Sequence, residues 1–253
     1  MNDLFAVTGK VVHVSGGSRG IGKTIALGLA EAGARVVVSA RNEDALKATG
    51  LDYQRCDVTD PDAVERTVAA IRDRYGRLDV LFNVAGINFR SAAETFPIDR
   101  FDEVMNVNVR GNFLMARASG RVMVEQRAGK IINVASLHSY QSLPFVVAYG
   151  TSKGAIASMT RALAVEWAPY NVQVNALGPG FIVTDLNAQL WEDPTIRGWV
   201  ENRTPAGRLG QTRDLIGAAI FLSSAASDFM TGQVLYVDGG FNAGSEWPLK
   251  IPR

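Results

Sequence analysis

Gly16-Gly17-Ser18-Arg19-Gly20-Ile21-Gly22-Lys23-Thr24 follows a short β-branched run, Val11 to Val14, and opens a stretch with Ile21, Ile25 and Leu29 on one helical stripe. A strand, a glycine turn and a helix in that order bring free backbone N–H groups and the positive end of the helix dipole to one spot, which makes an anion site. Taken literally, Gly17 to Thr24 fits the phosphate-loop pattern G-x-x-x-x-G-K-[ST], and Val234 to Asp238 supplies an apolar run ending in an acid, so a nucleotide hydrolase is one class that the loop allows. Gly16, Gly20 and Gly22 also spell G-x-x-x-G-x-G, a respaced relative of the dinucleotide fingerprint G-x-G-x-x-G. The loop alone does not decide between them.

Outward from the loop the same rhythm repeats. Gly33 stands where a helix closes on a left-handed cap, and Arg35 to Ser39 is apolar on both faces, as a parallel strand covered by helices on each side requires. Further strands are expected at Tyr53 to Cys56, Leu78 to Phe82, Lys130 to Val134, Val172 to Ala176 and Gln233 to Val237. Helices are expected from Asp60-Pro61, a cap followed by a first-turn proline, and over Phe101 to Glu125, Tyr149 to Trp167 and Arg213 to Leu222. Seven strands joined by crossover helices make a doubly wound, parallel α/β sheet of the Rossmann kind, and residues 1–253 form a single domain. One stretch breaks the rhythm: residues 182–209 hold Trp191, Trp199, Pro194 and Pro205 between a strand and a helix, an insertion expected to be a substrate lid.

The 253 residues carry a formal net charge of +1, which argues against nucleic acid or an anionic membrane as the main partner. With 47% apolar residues the chain can bury a sizeable core. A lone Cys56 excludes an internal disulfide or a multi-cysteine zinc site, and His13 and His138 are too few for a three-histidine metal site, so no metal is expected. If the chain is an enzyme, the scarcity of histidine points to acid–base chemistry from another residue type, and His13, inside the first strand, is expected to be a structural hydrogen-bonder. Met1 to Gly9 lacks a signal-peptide pattern and no apolar run approaches the ~18 residues of a membrane span, so a cytoplasmic protein is the expectation.

In a dinucleotide fold the end of the second strand meets the adenosine ribose ~20 residues after the glycines. Here that place holds Ala40-Arg41, with no acid at the strand end for a ribose diol. Arg41 offers a planar fork for a 2′-phosphate and Arg19 can assist, which favours NADP(H); NAD(H) is the alternative, with Glu43 or Asp44 taking the diol.

Tyr149 and Lys153 are four residues apart at the start of a helix, so both project from one face. A tyrosine of unperturbed pKa ~10 is a poor acid–base at neutral pH, and a neighbouring ammonium lowers that value. Ser136 stands at the carboxyl end of a strand, where open α/β sheets place their ligands, and can donate a hydrogen bond to a carbonyl oxygen.

Taken together, Gly16-x-x-x-Gly20-x-Gly22, Asn83-Val84-Ala85-Gly86, Asn108, Ser136, Tyr149-x-x-x-Lys153 and Pro179-Gly180 followed by Thr184 resemble the short-chain dehydrogenase/reductase family from end to end. Ser15 stands where threonine is usual and Val84 where a second asparagine is usual. The resemblance implies hydride transfer between NADP(H) and a secondary alcohol or ketone, with Tyr149 as the acid–base. By the same resemblance Lys153 lowers the Tyr149 pKa and holds the nicotinamide ribose, Ser136 orients the substrate, and Asn108 fixes a water behind Lys153. Asp57 would bind the adenine amino group, with contacts from Val58, Asn83, Ala85 and Gly86. Gly16, Ser18, Arg19, Gly20, Ile21 and Gly22 would hold the diphosphate, and Pro179, Gly180, Ile182 and Thr184 would seat the carboxamide. Lys23 and Asp238 then lose the roles that a phosphate-loop hydrolase would give them.

For the small-molecule substrate, His138, Asn88, Arg90 and Gln141 are expected to face the pocket beside Leu143, and Arg90 can pair with a carboxylate. Glu166-Trp167-Ala168-Pro169, Arg203 to Arg208 and the tail through Trp247 look most like the sugar-acid and polyol branch, such as gluconate 5-dehydrogenases and 2-deoxygluconate dehydrogenases. The 3-oxoacyl-carrier-protein reductases share nearly all the same motifs and are the alternative, and a non-catalytic dinucleotide sensor is a further one. The family also implies a homotetramer, with Ala218 to Leu222 and the tail 244–253 at interfaces.

Overall fold

The computed structural model describes residues 4–185 and 187–244. Its strands are β1 (Val11–Ser15), β2 (Arg35–Ala40), β3 (Asp52–Arg55), β4 (Val80–Asn83), β5 (Gly129–Val134), β6 (Val172–Pro179), β7 (Ile182–Val183), β8 (Gly210–Gln211) and β9 (Val234–Val237). The helices are α1 (Gly20–Glu31), α2 (Glu43–Lys47), α3 (Pro61–Tyr75), α4 (Ile98–Met105), α5 (Asn112–Gln126), α6 (Val147–Trp167), α7 (Pro194–Arg203) and α8 (Ile216–Ser223). Seven strands form one parallel sheet in the order β3-β2-β1-β4-β5-β6-β9. The expected single-domain, doubly wound α/β sheet is therefore the observed one.

The sheet reverses direction between β1 and β4, and open α/β sheets bind ligands in the crevice at such a switch point. The inner strands β1, β4, β5 and β6 are buried on both faces because each face carries a helical layer, whereas the edge strands β3 and β9 are only partly covered. Val11 points into one layer with Ile71, Leu81, Met115 and Ile131, whereas Val12 and Val14 point into the other with Ile25, Leu29, Phe82 and Leu222. Between β1 and β2, His13 Nε2 meets Ser39 Oγ at 2.8 Å, and complete burial pushes the imidazole down to about 4, so it is a neutral structural group.

The glycine turn is fixed by close approach. A Cβ on Gly22 would lie 2.3 Å from the Gly16 carbonyl oxygen, a backbone atom with no freedom to yield. Gly22→Ala is expected to cost on the order of 2 kcal/mol and to lower Tm by about 5 °C or more in thermal unfolding. An unchanged Tm would contradict this packing.

Three departures from the sequence pattern matter for the site. The helix expected over Phe101 to Glu125 is broken into α4 and α5 by a π-helical turn, Asn106–Gly111. The short α2, capped by Asn42 through Ala45 N at 2.9 Å, was not expected at all. The insertion is a small unit of its own: β7 pairs in parallel with β8, Asp193 caps α7 through Thr195 N at 2.8 Å, and Trp191, Val200 and Leu209 form its core. Trp167 packs its ring on Gly120 of α5, while Trp247 and the rest of 245–253 lie outside the described residues.

Candidate active site

The motif residues meet at the carboxyl edge of the sheet. Gly16, at φ +76, approaches the loop after β4 so closely that a Cβ would sit 2.7 Å from Ala85 N. Gly16 N and Gly17 N both donate to Ser39 O, at 2.8 and 3.2 Å. Arg19 is the N-cap of α1, yet no side chain caps that helix end and no acid lies in its first turn. The Thr184 side chain stands over Gly20, with Cγ2 3.7 Å from the Cβ position. An uncapped, electropositive helix end between a glycine turn and Thr184 fits the diphosphate of a dinucleotide.

At the end of β2, Ala40 is in register with Arg55, whose Nε donates to the Arg41 carbonyl at 3.3 Å. Arg41 is exposed. Glu43 is engaged by Lys47 Nζ at 3.0 Å and by the Tyr53 hydroxyl at 3.4 Å, so the nearest acid is already committed. Arg55 was not anticipated, since its relevance depends on the β2–β3 register. Burial pushes the Asp57 carboxyl up, but the Thr59 N–H and hydroxyl, at 2.9 and 2.8 Å, and the Arg41 charge together bring it below its ordinary value.

Beneath the cleft, Asn83 Nδ2 donates to Asn112 O and to Asn133 Oδ1, at 3.0 and 3.2 Å, and Asn112 Nδ2 reaches Ala85 O at 3.2 Å. Asn108 lies in the π turn, fully buried. Its Oδ1 accepts from Ile87 N at 2.8 Å, and its Nδ2 donates to Ile87 O and Ser152 Oγ, both at 2.9 Å. Ser152 Oγ in turn donates to Tyr149 O at 2.7 Å. The side chain expected to hold a water is thus committed to joining the loop that carries Asn88 and Arg90 to the first turn of α6. Ser152, the link in that chain, was missed because nothing in its spacing marks it.

Ser136 follows β5, and its Oγ accepts from His138 N at 3.2 Å. Ser139 Oγ donates to Lys153 O at 2.9 Å, tying this turn to α6. The His138 ring meets the Tyr149 ring edge-on, 5.6 Å between centroids. Lys153 is buried, its Nζ donates to Val134 O at 2.6 Å and stands 5.5 Å from the centre of the Tyr149 ring, and desolvation pushes its ammonium down to about 8. The expected lowering of Tyr149 by Lys153 is not what this geometry produces. Burial pushes the phenol up, and the influences working against that are the Ser136 hydroxyl and the Arg90 charge. His138 is pushed down by burial, opposed by the Gln141 backbone and helped by Arg90.

Arg90 therefore acts on both rings from the loop after β4. Gln141 turns elsewhere: its Nε2 donates to Asn242 Oδ1 at 2.6 Å and to Phe241 O at 3.3 Å. Asp238, the candidate magnesium ligand of a phosphate-loop hydrolase, accepts from Gly240 N at 3.0 Å and Asn242 N at 2.9 Å. It directly follows β9, four strands from β1 and thus roughly 19 Å away at ordinary strand spacing, too far to serve the glycine loop. Two cavities, of about 570 and 330 Å³, lie along the insertion at Trp191 and at Phe181, not at Tyr149.

A family model described as enoyl-(acyl carrier protein) reductase matches residues 16–242. Over 247 residues the chain is 42% identical to a gluconate 5-dehydrogenase of Gluconobacter oxydans (strain 621H), covering 94% of this chain and 96% of that one. The chain belongs to the short-chain dehydrogenase/reductase family. As a short-chain dehydrogenase/reductase it is an oxidoreductase, and the motif order that carried the resemblance spans nearly its whole length. A 5-keto-D-gluconate 5-reductase of Escherichia coli (strain K12) is 38% identical over 252 residues, 95% of this chain and 98% of the relative. Among solved structures, a gluconate 5-dehydrogenase from Burkholderia cenocepacia J2315 in complex with NADP and tartrate superposes with a TM-score of 0.92 at 40% identity, covering 96% of this chain and 98% of that one. Among the described residues no helix is long and apolar enough to cross a membrane.

Proposed function

We propose that this short-chain dehydrogenase/reductase interconverts a secondary hydroxyl and a ketone on a sugar acid of the gluconate type, using NADP(H). The observation that carries the reading is the meeting of the Ser136 turn, the Tyr149 ring and the buried Lys153 ammonium at the end of β5, beside an anion cradle that fits a dinucleotide. The relatives supply the substrate class: those described above are named for gluconate and 5-ketogluconate chemistry.

The nicotinamide cofactor, when bound, supplies or accepts the hydride. The chain's own residues handle the proton and the geometry. In reduction Tyr149 gives its phenolic proton to the developing alkoxide oxygen, and in oxidation it takes the proton from the alcohol. Ser136 donates to the same oxygen and opposes charge on it. Lys153, buried with its ammonium near 8, keeps a positive group beside the Tyr149 ring at neutral pH. Asn108 is a positioning residue, since it holds Ile87 and Ser152 rather than the reacting atoms. The insertion 182–209 closes over the substrate as a lid.

The direct test is a panel of gluconate, 5-ketogluconate, a neutral polyol and an acetoacetyl thioester, followed at the NADPH absorbance band. Turnover of the sugar acids is expected, and activity confined to the thioester would transfer the chain to the acyl-carrier reductase reading. The pH profile gives a second check. Arg90 is a cation that favours the phenolate, so Arg90→Gln raises the Tyr149 pKa and moves the rising limb of the oxidation profile to higher pH. A limb that stays in place or moves down would remove Arg90 from the proton step.

A further inference from the structure

Two segments with no part in the acid–base chemistry pack against each other: the end of α7 and the residues after β9. Asn242 is held at both ends. Its backbone N donates to Asp238 Oδ2 at 2.9 Å, and its Oδ1 accepts from Gln141 Nε2 at 2.6 Å. Gln141 Nε2 also donates to Phe241 O, so that nitrogen is fixed as the donor and the Asn242 amide must turn its oxygen toward it. The remaining Asn242 Nδ2 is shielded from solvent and has no partner among the described residues. A shielded donor left unpaired is unfavourable by about 1–3 kcal/mol, an expense that a ligand oxygen would remove.

A cation lies over the side chain of the preceding residue, Phe241. The Arg203 guanidinium covers the Phe241 ring at 5.4 Å and has no carboxylate partner among the described residues. Phe241 also packs against Phe181 at 5.1 Å and Trp199 at 6.1 Å, and Trp199 is 46% exposed although it belongs to this cluster. A planar guanidinium fork with an amide donor matches a carboxylate, and a half-open indole offers an apolar wall to the C–H faces of a polyol chain. The group connects to the reacting end through one loop, since Gln141 lies three residues beyond His138, whose ring packs on Tyr149.

We propose that Arg203 and Asn242, with Trp199 as a wall, form a distal subsite that takes the carboxylate end of a polyhydroxy acid while its hydroxyl-bearing carbon reacts at Tyr149. This rests on the sugar-acid reading above and makes α7 and the segment after β9 its specificity determinant.

The test is steady-state kinetics with D-gluconate and saturating NADP on wild type, Arg203→Ala, Arg203→Lys, Asn242→Ala and Asn242→Asp. Arg203→Ala and Asn242→Ala are each expected to raise KM by about ten-fold, the scale of one charge-assisted hydrogen bond, with kcat changing by less than about two-fold. Arg203→Lys recovers part of the loss by restoring the charge, and Asn242→Asp, which puts a second carboxylate against the ligand's, raises KM further than Asn242→Ala. A general loss of structure would instead lower kcat with KM and give no recovery by lysine, and that outcome overturns the subsite, as does a KM within two-fold of wild type in both alanine variants. A wild-type enzyme inert toward gluconate overturns the sugar-acid reading itself, whereas an active wild type with indifferent variants overturns the subsite alone.

Discussion

Tyr149→Phe is expected to lower kcat by about 10³-fold, the scale of removing a positioned general acid–base, while the affinity for NADPH changes little. The substitution takes away one oxygen and leaves the ring, so the edge-on contact with His138 at 5.6 Å and the stacking distance to Lys153 at 5.5 Å persist. Ser136 remains to polarise the carbonyl but cannot deliver the proton at the same rate, because an aliphatic hydroxyl is a far weaker acid than a phenol, although its O–H stays free to donate while its oxygen accepts from His138 N. Burial raises the phenol, so at neutral pH Tyr149 holds its proton, the state needed for reduction. Oxidation needs the phenolate and is expected to accelerate as pH rises through that raised pKa. The loss in Tyr149→Phe is therefore read in both directions at saturating substrate, with cofactor affinity measured separately by fluorescence titration. A kcat within ten-fold of wild type would remove Tyr149 from the proton step.

The sheet was legible because its signals are local. Val11 to Val14 before the glycine turn, the apolar run Arg35 to Ser39 and the capped start at Asp60-Pro61 each declare an element within a few residues, and the crossover rule then orders them. Exact ends were less legible: Leu78 to Phe82 became Val80–Asn83, because hydrophobicity begins before pairing does. The π turn at Asn106–Gly111 carries no mark in the apolar pattern, yet it is what brings Asn108 against Ile87 and Ser152. Helix α2 buries only Leu46, too little for a periodic stripe.

At the site, spacing placed Tyr149 and Lys153 on one face but could not tell where Lys153 Nζ would find its acceptor. That acceptor is the Val134 carbonyl, on a strand nineteen residues earlier in the chain. Gln141 illustrates the same limit more sharply, since its partners Phe241 and Asn242 lie about a hundred residues further on and Asn242 has no motif of its own. The literal phosphate-loop match fell for a reason of topology: Asp238 follows the outermost strand and is occupied by its own turn.

The second large effect concerns the cofactor. Arg41→Ala is expected to reduce the preference for NADPH over NADH, taken as the ratio of kcat/KM values, by about 30-fold, the worth of a charge-assisted contact to a 2′-phosphate of roughly 2 kcal/mol. Arg41 follows β2 directly and is exposed, and the Arg55 bond to its carbonyl holds the turn on which it stands. The competing possibility, a ribose diol held by Glu43, requires that carboxylate to leave Lys47 and the Tyr53 hydroxyl. Two further variants separate the cases. Glu43→Gln frees Lys47, adds to the local positive charge and is expected to leave NADPH favoured, whereas a diol-binding Glu43 would make the same variant lose NADH affinity. Arg55→Ala loosens the turn without deleting the fork, so its effect on the ratio is expected to be smaller than that of Arg41→Ala. Equal changes for both cofactors in Arg41→Ala would mean that the guanidinium meets no 2′-phosphate, and the electropositive end of α1 would then account for dinucleotide affinity without discriminating between the two.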